Sequence, residues 1–459
     1  MIFNNILPQS FKNQIHKWQA LWANVRFGFP SSGLKLIGVT GTDGKTSVAI
    51  MIYNILKKGG YKVGLISTIS ARINEEEIDT GFHVTTPDPW EVPKFLDMMV
   101  KKGIEWVVFE VTSHALDQNR VAYIEFEKAV FTNITDEHLD YHKTWKRLAL
   151  AKTKLIDQVK EGGEIIYKED EKGGKFTAKR IRSNEKVFVQ EACSEDLVKQ
   201  REVTRDGLRF KYTINGKEEQ ITIPILGEYN IANAQCAIKT CQDLVKNSDI
   251  VEALSEFKTP LGRMHIVRRK KPCLVIVDFA HTPNGMKNAL KTASGLKGKG
   301  NLIVVFGSAG LRDRKKRAKM GKLAGLYADI IIITAEDPRT EDLAAINDKI
   351  LEGVLSKNRI LVKRFKTRKA FRGTKLSAIK QIIAGNREDG RKPIFSFDQN
   401  KPRSREDAIE FAIRIAESED IVIITGKAHE KSLCFGTREY AWSDFEAVKR
   451  AVKLRYKEE

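Results

Sequence analysis

The stretch Gly38-Val39-Thr40-Gly41-Thr42-Asp43-Gly44-Lys45-Thr46-Ser47 decides how the chain is read. An apolar run, Leu34 to Val39, leads into it and reads as a buried strand. A helical pattern follows, with Val48, Ile52, Ile55 and Leu56 on one face. Strand, glycine-rich turn and helix form the context a phosphate cradle needs. Backbone N–H groups at a helix N-terminus bind anions, and glycine lets the backbone come close to them. In this reading Gly41, Thr42, Asp43, Gly44, Lys45, Thr46 and Ser47 wrap a nucleotide's phosphates. Lys45 sits on the outer phosphates, and the Thr46 hydroxyl reaches a magnesium ion. The usual P-loop spacing puts glycine at position 39, where this chain has valine. The loop is therefore a variant built on Gly41-x-x-Gly44-Lys45-Thr46.

The 459 residues are enough for two or three domains, and 42% hydrophobic with 30% charged residues is ordinary for a soluble globular chain. No apolar run is long enough for a membrane-spanning helix, and no signal-peptide pattern opens the chain. Cys193, Cys236, Cys241, Cys273 and Cys434 lack metal-ligand or disulfide spacing, so a cytoplasmic location is expected. The net charge of +20 is spread widely, without an aromatic-interleaved basic motif. It points to anionic small substrates and argues against nucleic acid.

Residues 1–33 form an N-terminal helical segment. Leu7, Phe11, Ile15, Trp18, Trp22 and Val25 recur at helical spacing, and Lys12, Lys17 and Arg26 are its charged side chains. Two readings stand: a helix packed on the domain that follows, or an interfacial helix through which residues 1–30 touch an anionic membrane. From 34 to 259 apolar runs alternate with helical patterns. Strands are expected at Leu34–Val39, Val63–Ser67, Trp106–Glu110 and Lys128–Thr132, with helices at Ala49–Lys58, Trp90–Lys101 and Thr144–Val159. Residues 160–225 read as antiparallel rim strands, including Leu208–Ile214 and Gln220–Ile225, and a helix follows Gly227-Glu228-Tyr229-Asn230 up to Leu244. Residues 260–459 restart the pattern, with strands at Leu274–Asp278, Leu302–Gly307, Ile330–Thr334, Ile360–Phe365 and Ile421–Thr425. The basic stretch Arg368–Lys392 reads as a surface excursion. The fold class is α/β: a P-loop ATPase domain with a mostly parallel sheet, then a second doubly wound, Rossmann-like domain.

Glu110 ends an apolar strand, where a carboxylate can hold magnesium. His138 lies in the dense polar run Thr135-Asp136-Glu137-His138-Leu139-Asp140-Tyr141-His142. Lys152 completes the apolar stripe of Trp145, Leu148 and Leu155. A lysine there either snorkels or serves chemistry. Burial favours its neutral amine, which can take up carbon dioxide as a carbamate and so offer oxygen ligands to a hard cation.

These residues and others in the same order resemble the Mur ligases, of the UDP-N-acetylmuramoyl-tripeptide synthetase type. The resemblance runs from about Lys35 to the C-terminus. Its motifs are residues 38–46, Thr85-Thr86-Pro87-Asp88-Pro89, Glu110 through Arg120, His138-Leu139-Asp140-Tyr141-His142 and Ala151-Lys152. They continue with Gly227-x-Tyr229-Asn230-x-x-Asn233, Gly262-Arg263-Met264 and Asp278-Phe279-Ala280-His281. The last are Arg312-Asp313, Asp337-Pro338-Arg339 and Gly426-Lys427-x-His429-Glu430. The resemblance implies an ATP-dependent, ADP-forming amide ligase of peptidoglycan synthesis. It phosphorylates a muramoyl dipeptide carboxylate and passes the acyl group to an amino acid. It implies Lys45, Glu110, His138 and Lys152 as catalytic residues. One magnesium ion falls to Thr46 and Glu110, and another to His138 and a carbamate on Lys152. Asn233, Arg263, Asp278 and His281 match ATP-facing positions. Thr85, Thr86, Thr112, Gln118 and Arg120 match the muramoyl-peptide site. Arg312, Glu336, Asp337, Pro338, Arg339, Gly426 and Glu430 match the amino-acid pocket. Retention of Arg339 points to meso-diaminopimelate, whose far carboxylate an arginine reads; lysine has none.

The chain departs from that pattern in three places. Asp43 replaces an asparagine in the loop. Glu336-Asp337 replaces Asp-Asn in the pocket motif. Only 40 residues precede Gly41, too few for the family's uridine-nucleotide domain. The departure leaves three expectations: a nucleotide substrate held by Thr85 to Arg120 alone, a partner chain that supplies the uridine site, or a lipid-linked acceptor. A Mur-like ligase for another acceptor, or a non-catalytic nucleotide-binding subunit of a cell-wall complex, is the alternative function. Retention of Lys45, Thr46, Glu110, His138 and Lys152 argues against the latter.

Overall fold

The computed structural model describes residues 8–458 apart from 68–70, 74–75, 79–85, 169–171, 185–187, 192–196, 269–272 and 355–358. The chain divides into two compact units, Met1–Lys258 and Thr259–Glu459.

The first unit contains α1 (Gln9–Arg26), β1 (Lys35–Thr40), α2 (Lys45–Lys58), β2 (Val63–Ile66), β3 (Ala71–Ile73), β4 (Glu76–Ile78) and α3 (Glu91–Lys101). It continues through β5 (Trp106–Glu110), α4 (Ser113–Asp117), β6 (Phe126–Phe131), α5 (Leu139–His142) and α6 (Trp145–Thr153). Then come β7 (Val159–Tyr167), α7 (Lys172–Ile181), β8 (Phe188–Glu191), β9 (Val198–Val203), β10 (Leu208–Ile214), β11 (Lys217–Ile223), α8 (Tyr229–Cys241) and α9 (Asn247–Ser255). The main sheet has the order β4-β3-β2-β5-β1-β6-β7-β8 and is parallel from β2 to β8. Both its faces are covered. Ile37 and Val39 pack with Val48, Ile52, Ile55 and Leu56 of α2, while Leu36, Val107, Phe109 and Phe126 form a core on the other side. Each such side chain contributes about 1.5–3 kcal/mol on burial. Burial on both sides explains why the strands read as continuous apolar runs rather than alternating ones.

The register positions the site. β5 and β6 flank β1, with Val39 opposite Glu110 and Thr40 opposite Phe131. The loops that follow these three strands therefore emerge side by side at their carboxyl ends, where open α/β sheets bind ligands.

The second unit contains β12 (His265–Arg268), β13 (Leu274–Asp278), α10 (Pro283–Leu296), β14 (Leu302–Phe306), α11 (Lys315–Tyr327), β15 (Ile330–Ile333) and α12 (Leu343–Val354). It goes on with β16 (Arg359–Phe365), α13 (Arg368–Arg372), α14 (Leu376–Glu388), β17 (Lys392–Phe397), α15 (Arg403–Ile415), β18 (Ile421–Thr425), β19 (Ser432–Phe435), β20 (Arg438–Ala441) and α16 (Asp444–Glu458). Its sheet order is β12-β13-β18-β14-β15-β17-β16, parallel except for β12.

Four expectations are corrected. The helix expected over 144–159 ends at Thr153, and Val159 opens β7; Gly162, with φ of +76°, and Gly163 interrupt any helical continuation. Only part of 160–225 is antiparallel. β9, β10 and β11 form that small sheet, whereas β7 and β8 extend the parallel sheet, with α7 between them. The helix expected up to Leu244 stops at Cys241, and α9 follows separately. Arg368–Lys392 is no surface excursion. It folds as α13 and α14, which bury Phe371 and Ile379 against the core, and Lys392 begins β17. Abundant lysine and arginine on the outer faces hid the apolar faces of these helices.

Candidate functional site

Two glycines shape the loop between β1 and α2. Gly41 has φ of +150°, and a Cβ there would lie 1.9 Å from Thr132 Oγ1. Gly44, the residue before α2, has φ of +86°, and a Cβ there would lie 2.5 Å from Asn233 Oδ1. Only glycine suits such positions. Asn233, on α8, is thereby placed against the loop, held by a hydrogen bond from its Nδ2 to Asn230 Oδ1 at 2.7 Å.

The neighbouring loop after β6 clamps this one. Asn133 Oδ1 accepts from Asp43 N at 2.9 Å and from Thr42 N at 3.2 Å, and its Nδ2 donates to Asp43 O at 3.1 Å. Thr132 Oγ1 donates to Asp43 O at 2.6 Å, and Thr42 Oγ1 to Thr135 O at 3.1 Å. The Asp43 backbone is thus tied down by groups that can serve an aspartate as well as an asparagine. Lys45 folds back and caps the Gly41 and Thr42 carbonyls at 3.0 and 2.8 Å. Ser47 is buried in the first turn of α2.

The Thr46 hydroxyl donates to both Glu110 oxygens at 3.1 and 3.0 Å, and both residues are buried. A hydroxyl and a carboxylate brought together beside a phosphate loop form a donor pair suited to a hard cation. Lys152 does not snorkel. It is 1% exposed, and its Nζ donates to Gly41 O at 2.5 Å. Burial, then the charge on Lys45, pushes its pKa down to about 7. Glu137 Oε2 lies 3.9 Å from that nitrogen, and Glu137 Oε1 lies 3.2 Å from His138 Nε2. Burial opposes ionisation of Glu137, but His138, Lys45 and Lys152 outweigh it and hold the carboxyl well below its usual range.

Behind His138 the rings of His114 and His142 gather. The His114 and His138 centroids are 4.6 Å apart, and His142 Nε2 meets Ser113 Oγ at 3.0 Å. Burial, followed by the neighbouring imidazoles, drives His114 to about 3. Burial also takes His142 to about 4, so both are neutral at pH 7.

The residues expected to hold the acceptor meet on the other side of β5. Thr86 Oγ1 lies 3.1 Å from Thr112 Oγ1, Arg120 donates to Thr86 O at 3.3 Å, and Asp88 is 3.9 Å from Arg120. Gln118 is buried, with an Oε1 that has no hydrogen-bond partner among the described residues. Thr85 lies outside the described residues.

In the second unit the turn before β12, the end of β13 and the loops after β13, β14, β15 and β18 carry the remaining positions. Asp278 accepts from Met264 N at 2.6 Å and Ala280 N at 2.8 Å, which fixes the turn that presents His281. Arg263 stacks 4.8 Å over Phe279, and His281 Nδ1 meets Phe279 O at 3.0 Å. Arg312 is exposed. Asp337 does not present an unbalanced charge: its oxygens accept from the buried Lys427 Nζ at 2.8 Å and from Cys434 N at 2.9 Å. Lys427 also pairs with Glu430. Glu336 is buried beside Gly426, and burial raises its pKa. Pro338 precedes Arg339, whose φ is +52° and whose guanidinium donates to Gly310 O at 2.8 Å. Arg339 is not spent on Glu341, whose two oxygens take Arg317 at 2.7 and 2.9 Å.

Sequence reasoning missed Asn133, Glu137 and Lys427. Glu137 had a signal in the dense polar run around His138, and Lys427 lay in the motif Gly426-Lys427-x-His429-Glu430 without being given a role. Asn133 and Lys427 matter because of where strands β6 and β18 deliver them.

A phosphate-cradling loop with a cation-ready Thr–Glu pair at the carboxyl ends of a parallel sheet defines the class: a P-loop nucleotide-binding protein. Residues 39–241 match the model of the Mur ligase middle domain, and residues 262–381 match that of the Mur ligase glutamate ligase domain. The chain is 33% identical over 437 residues to the UDP-N-acetylmuramoyl-L-alanyl-D-glutamate–2,6-diaminopimelate ligase of Clostridium botulinum, covering 95% of this chain and 81% of the relative. The enzyme of the same name from Bacteroides fragilis is 31% identical, with 94% and 81% covered. Among solved structures, Thermotoga maritima MurF ligase in complex with ADP superposes with a TM-score of 0.64 at 14% identity, covering 95% and 84% of the two chains. Mycobacterium tuberculosis folylpolyglutamate synthase with ADP and AMPPCP gives 0.64 at 17%, covering 89% and 92%. The chain belongs to the Mur ligase family.

Proposed function

We propose that this ligase joins 2,6-diaminopimelate to the glutamyl carboxylate of UDP-N-acetylmuramoyl-L-alanyl-D-glutamate, a step of peptidoglycan precursor synthesis. Relatives sharing a third of its residues carry that activity in their names. The observation that carries the reading is the end of β5. Glu110 contacts Thr46 of the phosphate loop, and Thr112, two residues on, is bonded to Thr86 of the acceptor motif. One strand end thus sets the distance between phosphate donor and acceptor.

Thr46 and Glu110 fit one magnesium ion, and His138 with a carbamate on Lys152 fits another. Support for the carbamate is a buried amine whose pKa falls to about 7. Bound magnesium supplies neutralisation of the phosphoryl oxygens. Lys45 exchanges the Gly41 and Thr42 carbonyls for phosphate oxygens, and the loop N–H groups hold the remaining charge. Arg120 draws in the anionic acceptor. A carboxylate oxygen of the dipeptide attacks the γ-phosphorus and ADP leaves. The free amine of the incoming amino acid then attacks the acyl carbon, phosphate departs, and the amine loses its proton. Asn233, Arg263, Asp278 and His281 serve the nucleotide.

Arg312 and Arg339 serve the amino acid's carboxylates, while Glu336, Gly426 and Glu430 serve its far end. Asp337, neutralised by Lys427, stands in for the neutral amide of diaminopimelate-adding relatives. The test is phosphate release from ATP by the purified chain with the UDP-linked dipeptide plus meso-diaminopimelate, lysine or no amino acid, with products identified by mass. A diaminopimelate adduct is expected. A lysine adduct, or no turnover with either, overturns the reading.

A further inference from the structure

Helix α1 does not pack through the stripe that the sequence displays. Its buried residues are Ala20, Ala23 and Asn24, on the opposite side. Phe11, Ile15, Trp18, Trp22 and Val25 all face solvent, with Trp18 62% and Trp22 64% exposed. Half-exposed Trp90 extends this surface, and together Ile15, Trp18, Gln19, Trp22 and Trp90 line an open groove of about 680 Å³. A contiguous aromatic surface of this kind marks an interaction site.

Charge selects the occupant. At 3.6 residues per turn, Arg26 and then Lys12 follow the stripe on one side, and the exposed Lys17 lies further round on the other. No aspartate or glutamate occurs before Asp43. Near Trp90 the acids are engaged: Asp88 lies 3.9 Å from Arg120, and Glu91 lies 3.3 Å from Lys94. Two copies stacked stripe to stripe would oppose cation to cation with no acid on the helix to balance them. Indole rings bordered by lysine and arginine, on a helix whose buried residues are the small Ala20, Ala23 and Asn24, suit a plane of lipid headgroups.

We infer that α1 docks the protein on an anionic lipid bilayer, with Phe11, Ile15, Trp18, Trp22 and Val25 entering the interface and Lys12, Lys17 and Arg26 meeting the headgroups. The opposite side of the helix is tied to the acceptor motif. Asn13 Nδ2 donates to Asp117 O at 2.9 Å, and Asn119 Nδ2 donates to Asn13 O at 3.1 Å. Docking therefore brings Gln118 and Arg120 to within about one helix diameter, roughly 10 Å, of the membrane surface. The inference stands independently of which amino acid the enzyme adds.

The test is co-sedimentation of the full chain with phosphatidylglycerol–phosphatidylcholine vesicles and with pure phosphatidylcholine vesicles. Binding to the former and not the latter is expected, weakened by added salt. Trp18→Ala with Trp22→Ala should lower the affinity at least about tenfold, and Lys17→Glu with Arg26→Glu should do the same, each with unchanged thermal unfolding. All four side chains are exposed, so folding is preserved. No binding to anionic vesicles overturns the inference. So does binding that survives both variants, or a concentration-dependent dimer that Trp18→Ala with Trp22→Ala abolishes.

Discussion

The Lys152 ammonium nitrogen lies 2.5 Å from the Gly41 carbonyl oxygen, so the most buried lysine among the described residues of the first unit is pressed against the first glycine of the phosphate loop. Its Nζ is also 3.9 Å from a Glu137 oxygen. The helix α6 that carries it follows the loop after β6, and Thr144 caps that helix by accepting from Arg147 N at 3.2 Å.

A carbamate on Lys152 requires the neutral amine, and burial places the amine's pKa at about 7. The neutral fraction therefore rises as pH climbs through that value. In ¹³C-bicarbonate a carbamate carbon signal should appear in the NMR spectrum and strengthen across that range. Lys152→Arg should lack the signal and lose turnover, because a guanidinium stays protonated.

Thr46→Ala removes a hydroxyl that meets both Glu110 oxygens. Phosphate release should fall about 100-fold, since single groups aimed at developing phosphoryl charge are worth that much. Raising the magnesium concentration should recover part of the rate. Glu110→Gln should shift the magnesium dependence in the same direction.

Arg339→Ala should raise the KM for diaminopimelate by about 10-fold to 100-fold, the value of a charge-assisted hydrogen bond to a carboxylate. The KM for ATP should show little change. Lys427→Met leaves Asp337 and Glu430 without their cation and should impair amino-acid binding more than ATP binding.

The Arg317–Glu341 pair gives a pH signature. Arg317 is 1% exposed and donates twice to Glu341, chiefly lowering that carboxyl's pKa to about 2. A depressed carboxylate pKa contributes stability that is complete above its usual value and lost as pH falls towards 2. Glu341→Gln strands a buried guanidinium and should cost about 3 kcal/mol at pH 7. Denaturant titrations of parent and variant should converge near pH 2.

Most of the site was readable because it is local. The phosphate loop, Glu110 at a strand end and Lys152 on an apolar stripe each follow from spacing over a few residues. The helices of Arg368–Lys392 were not readable, because lysines and arginines on their outer faces broke the apolar period. The direction of α1 was misleading for the opposite reason. Its strongest apolar period faces solvent, and the weaker run of Ala20, Ala23 and Asn24 does the packing.

By itself, then, the sequence determined the alternation of strands and helices, the phosphate loop and the ordered motifs of a Mur ligase, because glycine placement and hydrophobic period act within one element. Tertiary structure alone decided which loops lie side by side. The pairing of Val39 with Glu110 and Thr40 with Phe131 brings Asn133, Glu137 and Lys152 around one loop. Parallel strands joined by long crossovers pair at distances that no local pattern encodes.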